Sequence, residues 1–132
     1  MIAVAMDTNA LMMPVELDVR VFEALERTLE TSIDRVDLVI PAAVLAELDS
    51  IAERSAGAEG VAASVGADLA RDRCRVVETA AEYADDAIVE LADSGDVDYV
   101  LTNDAPLRDR LLERGVRVIG LRGDDQLAVT TP

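Results

Sequence analysis

Apolar residues recur along this chain with two alternating spacings. The runs Ile2-Ala3-Val4-Ala5-Met6 and Val36 with Leu38-Val39-Ile40 are short and apolar, as expected of strands in a parallel sheet buried on both faces. Between them Val19, Phe22, Leu25 and Leu29 return every three or four residues, which predicts a helix over 17–30. The alternation continues. A helix opens at Pro41 and runs to about Arg54, followed by a loop over 55–60 and a helix over 61–71 weakened by Gly66. Arg75-Val76-Val77 reads as a third strand and 84–94 as a helix stopped by Gly95. A strand at 98–103, a helix at 105–114 stopped by Gly115 and a strand at 116–119 complete the series. Gly123-Asp124-Asp125 is a turn, after which a short edge strand is possible. Strands alternating with helices give an α/β fold, a three-layer α/β/α arrangement around a parallel sheet of four to five strands. No repeat or low-complexity linker divides residues 1–132, so they read as one domain.

Composition changes how every acid must be weighed. The chain carries 27 Asp plus Glu against 12 basic residues, all Arg, for a net charge of −15. Such self-repulsion destabilises a compact domain unless salt screens it, and at 1 M salt the Debye length is about 3 Å. The balance reads as adaptation to a salt-loaded cytoplasm, so an arbitrary Asp or Glu is a solvated surface group unless its position says otherwise. A hydrophobic content of 51% argues against disorder. Cys74 stands alone, which excludes an internal disulfide and suits a packed thiol. No segment has the length and apolarity of a membrane span, and the first apolar run ends too early for a signal peptide, which points to a cytoplasmic protein without a membrane partner.

Position singles out four carboxylates. Asp7 ends the first strand and Asp104 follows the strand at 98–103, and ligands of open parallel sheets bind outside the carboxyl ends of strands. Both also suit a helix N-cap. Glu47 lies three residues after Val44 and four before Ile51, which places it with the inward stripe of its helix, where a Glu needs a cation or an Arg. By the same spacing Asp49 and Glu53 face outward. At the start of the helix at 84–94, periodicity leaves Asp85 and Asp86 equally placed, and either could favour the helix dipole. Clustered carboxylates call for a hard divalent ion such as Mg²⁺ or Mn²⁺, which is bound by a few carboxylates together with waters and substrate phosphates.

Four segments carry a family resemblance. They are Met6-Asp7-Thr8-Asn9-Ala10-Leu11 and Pro41-Ala42-Ala43-Val44-Leu45-Ala46-Glu47-Leu48, then Asp85-Asp86-Ala87-Ile88-Val89-Glu90-Leu91-Ala92 and Thr102-Asn103-Asp104-Ala105-Pro106-Leu107. In this order, each on its expected element, they resemble the PIN-domain nucleases over essentially the whole chain. The stretch from Leu107 to Val116, with Ile119-Gly120-Leu121-Arg122, looks like an archaeal branch similar to small-subunit rRNA-processing PIN proteins and VapC-type toxins. The acidic composition is similar to that of haloarchaeal proteins.

The resemblance implies a metal-dependent endoribonuclease whose acids are Asp7, Glu47, Asp86 and Asp104. It selects Asp86 over Asp85 because the family's third acid directly precedes an Ala-Ile or Ala-Leu pair. It implies supporting roles for Thr8, Asn9, Asp85 and Thr102. RNA is the implied substrate, and an antitoxin, a ribosomal precursor or a second copy of the chain are the implied partners. With no Lys, only Arg can meet RNA phosphates; Arg108, one turn after Asp104, and Arg20 are the leading candidates, followed by Arg54 and Arg122. With no His, the usual general base is missing.

Other classes fit less well. A phosphoacceptor receiver domain uses a Lys that this chain lacks. A haloacid-dehalogenase-like phosphatase wants Asp-x-Asp after its first strand, where Asp7-Thr8-Asn9 stands. The remaining alternative is a non-catalytic PIN-like scaffold that binds RNA or protein.

Overall fold

A computed structural model describes residues 1–132. Six strands form one sheet: β1 (Ile2–Met6), β2 (Val36–Pro41), β3 (Arg75–Val77), β4 (Tyr99–Leu101), β5 (Val118–Arg122) and β6 (Gln126–Thr130), in the order β3-β2-β1-β4-β5-β6. The first five strands are mutually parallel, and β6 returns antiparallel to β5. Six helices complete the fold: α1 (Thr8–Glu16), α2 (Val21–Leu29), α3 (Ala42–Arg54), α4 (Ala58–Arg73), α5 (Ala84–Asp93) and α6 (Ala105–Glu113). No helix is long and apolar enough to cross a membrane.

The sheet order explains where a site can form. From β1 the chain steps outward to β2 and β3, then crosses back to β4 and β5 on the other side. Right-handed crossovers therefore carry α1–α4 and α5–α6 to opposite faces, and the direction reverses between β1 and β4. Met6 pairs with Leu101, and the Asp7 N–H continues the ladder to the Leu101 carbonyl at 3.3 Å. Asp7 and Thr102 thus leave the sheet side by side, at the switch point where such folds bind ligands.

Four features differ from the sequence-based expectation. Helix α1 begins directly after Asp7, although Pro14 lies within it and its apolar run Leu11-Met12-Met13 is short. The helix expected over 17–30 is confined to Val21–Leu29, because Asp18 adopts a left-handed backbone (φ 53°) that turns the chain between α1 and α2. Helix α4 starts at Ala58, inside the expected loop, and the terminal hairpin makes six strands rather than four or five.

Gly66 is a packing position rather than a weakness. A Cβ there would stand 2.8 Å from the Leu11 carbonyl oxygen and 3.2 Å from a Leu48 methyl. Only glycine lets α4 lie this close to α1, whose first turn shapes the site. Gly66→Ala is expected to cost about 1–3 kcal/mol, the usual range for overpacking against backbone. Urea unfolding that shows no loss would refute this close approach.

Candidate functional site

Above the carboxyl ends of β1 and β4 lies an open cavity of about 220 Å³. Six carboxylates line it, those of Asp7, Glu16, Glu47, Glu59, Asp85 and Asp104, and no Arg does. Thr8, Asn9, Met12 and Ile51 fill the remaining wall.

Asp7 is the deepest of the acids, only 3% exposed. It is the N-cap of α1 and accepts from the Ala10 N–H at 2.7 Å. Its other oxygen accepts from the Thr102 hydroxyl, itself 2% exposed. Burial pushes the Asp7 carboxyl up to about 7; these two hydrogen bonds oppose the shift, and the nearby Asp85 and Asp104 add to it. Thr102 also accepts from the Asp104 N–H at 3.0 Å, so one hydroxyl ties both strand-end acids together. Asp104 caps α6 by accepting from the Leu107 N–H at 3.0 Å.

Asp85 and Asp86, which spacing alone left tied, part company in the structure. Asp85 lines the cavity, and its pKa is raised by partial burial and by Asp104 and Glu47, with Arg110 opposing. Asp86 does not line the cavity. It is exposed and forms an ion pair with Arg110 at 3.1 Å. Of the two, the family pattern had singled out Asp86, while the first turn of α5 presents its second residue, Asp85, to the crevice and its third, Asp86, to α6.

Glu47 reaches the cavity by a different route from the one its spacing suggested. It is exposed rather than buried with the Val44–Leu48–Ile51 stripe, and shares the cavity wall with Ile51 one turn on. Asp49, expected to be merely solvated, pairs with Arg71 at 2.6 Å. Glu16 and Glu59 were absent from the expected set because their helices were unrecognised or started late. Thr8, Met12 and Glu16 follow one another at four-residue intervals, so recognising α1 would have placed Glu16 on the same face.

The two leading Arg candidates separate as well. Arg108 lines a second cavity adjoining Asp104 and bonds Asp109 at 3.2 Å, not Asp104 or Glu113. Arg20 sits beside Glu23 at 3.6 Å and lines a cavity between α2 and α4 that contains none of the four expected acids.

The donor set suits a hard divalent cation: all ligating atoms are oxygens, the acids face one another without a basic partner, and the buried Thr8 hydroxyl has no hydrogen-bond partner. No three of the acids are drawn together at the spacing of a completed metal shell. Asp7 is turned instead toward the Thr102 hydroxyl and the Ala10 N–H.

Comparison with known proteins agrees with this fold. The chain resembles the PIN domain endonuclease Utp24, at 23% identity and a TM-score of 0.79, covering 98% of this chain and 92% of that one. It resembles VapBC2 from Rickettsia felis bound to a promoter DNA fragment, at 15% identity and a TM-score of 0.66, covering 92% and 100%. A domain of a functionally unknown protein from Methanocaldococcus jannaschii aligns at 19% identity and a TM-score of 0.64, covering 96% and 95%. No curated protein sequence matches the chain. Residues 4–124 match the family described as PIN like domain. The chain belongs to the PIN-like domain family, whose members are typically metal-dependent nucleases.

Proposed function

We propose that the protein is an endoribonuclease that hydrolyses RNA phosphodiester bonds at the acidic cavity with Mg²⁺ or Mn²⁺. The observation that carries this reading is the convergence of Asp7, Glu47, Asp85 and Asp104 on one crevice at the switch point of the sheet. These four residues would hold the cation, with Asp85 in the role that the family pattern suggested for Asp86. When bound, a divalent cation supplies Lewis-acid stabilisation of phosphoryl oxygens and lowers the pKa of a bound water.

The chain's own residues prepare the site. Thr102 and the Ala10 N–H hold the Asp7 carboxylate in one orientation. The backbone bond from Asp104 to Thr102 fixes the second strand-end acid relative to the first. Thr8 and Asn9 line the same wall and can bond a water or a phosphoryl oxygen. A purely scaffolding PIN-like module has no use for so many unneutralised acids in one cavity, which destabilise the protein that carries them.

The fold is shared by an endonuclease and by a toxin–antitoxin assembly, so a ribosomal precursor and an antitoxin are both reasonable partners, as is a second copy of the chain. The test is incubation of a mixed RNA pool with the protein and Mn²⁺ in concentrated KCl. Wild type is expected to cleave and Asp7→Asn to leave the RNA intact. Equal activity of the two would overturn the proposal.

Cation binding has its own readout. At a Mn²⁺ concentration of 100 times Kd, the folded state is expected to gain about 2.7 kcal/mol. A melting temperature unmoved by Mn²⁺ up to millimolar concentrations would count against the assigned site.

A further inference from the structure

A second cavity, of about 310 Å³, adjoins the acidic one through Asp104, which lines both. Its wall is the terminal β5–β6 hairpin, with apolar surface from Leu121 and Val129. Asn103 and the two guanidinium groups of Arg108 and Arg122 provide its polar edge. Arg122 forms no ion pair, although acids outnumber arginines more than two to one. Arg108 engages Asp109 through Nε alone. In a chain of net charge −15, two arginines on a cavity of mixed polar and apolar lining beside the acids form a local exception to the repulsion a polyanion would meet.

We propose that this cavity is a nucleotide subsite for single-stranded RNA, holding the residue next to the scissile phosphate. Its backbone phosphate sits on Arg108 and Arg122, and its base lies against Leu121 and Val129 with Asn103 at the base edge. The proposal rests on the nuclease reading of the acidic cavity and deepens it. The chemistry fits in three ways. Guanidinium groups recognise phosphate through paired N–H donors. The cavity is at the small end of ligand pockets, the scale of one nucleotide rather than a duplex. An unstacked base offers both a face for apolar packing and an edge for an amide, which duplex RNA does not.

The test is binding of a fluorescent 2′-O-methyl RNA oligonucleotide, measured by anisotropy in Ca²⁺ and again in EDTA, both of which withhold the Mg²⁺ or Mn²⁺ that cleavage needs. Arg122→Gln and Arg108→Gln are each expected to weaken binding at least fivefold and to reduce the dependence of log K on log salt by about one. Arg27→Gln, which removes an exposed and unpaired arginine on α2, is the control and should bind as wild type does. Cleavage of the corresponding unmodified RNA is measured alongside, where both cavity variants are expected to raise KM with little change in kcat. Wild-type binding that both cavity variants retain would overturn the subsite, as would the absence of any wild-type binding. Binding that depends on Arg108 and Arg122 without cleavage by wild type would uphold the subsite and refute the nuclease reading alone.

Discussion

Asp7→Asn is expected to raise the stability of the cation-free protein at pH 8 while abolishing its stabilisation by Mn²⁺. The carboxyl is almost fully buried among other acids, and its pKa is raised from 3.8 to about 7. A carboxyl with a folded pKa above its unfolded one retains its full stability contribution below about pH 4. That contribution is lost as pH climbs through the folded value, because the folded state must give up a proton it holds more tightly than the unfolded chain does. At roughly 1.4 kcal/mol per pKa unit the cost of ionising Asp7 reaches about 4 kcal/mol by pH 8. Asn keeps the shape and can still accept from the Ala10 N–H, so it avoids that cost. Denaturation in EDTA should therefore show Asp7→Asn ahead of wild type at pH 8, with the gap closing toward pH 4. A variant less stable than wild type at pH 8 would contradict the burial of a charged Asp7. The same substitution removes a ligand, so function and stability are set against each other at this residue, as happens where a site stores unfavourable charge.

The second large effect separates two adjacent residues. Asp85→Asn is expected to lower kcat/KM for RNA by about 100-fold or more, a loss of roughly 2.7 kcal/mol of transition-state stabilisation. Asp86→Asn is expected to stay within about threefold of wild type. Asp85 faces Asp104 and Glu47 across the cavity, whereas Asp86 spends its charge on Arg110 at the surface. Exposed ion pairs of that kind contribute little to stability, so the Asp86 variant should also fold normally. The reverse pattern, with Asp86 essential and Asp85 dispensable, would show that the first turn of α5 presents a different face during catalysis.

The inner strands β1, β2 and β4 were legible because their apolar runs are short, bounded and largely buried. Residues 2–6 are the clearest case, and the strand end at Asp7 followed directly. Asp104 was legible for the same reason, reinforced by Pro106 in the first turn of its helix. Helix α1 was hidden because Pro14 interrupts its pattern and Asp18 breaks the apparent periodicity that runs on into α2. With α1 went Glu16, and with the early start of α4 went Glu59. Glu47 reached the site on correct spacing but for an incomplete reason: a residue beside an apolar stripe can sit at the rim of a crevice as readily as inside the core. Between Asp85 and Asp86 the sequence holds no deciding signal, since both occupy the first turn and the choice depends on where α6 places Arg110. The salt-adapted surplus of acids hid all of these residues equally well. Tertiary position, not residue type, is what distinguishes the six cavity carboxylates from the other acids.

If the crevice over β1 and β4 is a divalent-cation site built from these acids, a bound ion must lie within it. Anomalous diffraction at the manganese edge from crystals soaked in Mn²⁺ would locate that ion. A peak enclosed by Asp7, Glu47, Asp85 and Asp104 is expected. Manganese peaks elsewhere on the acidic surface, with none in that crevice, would refute the cation site.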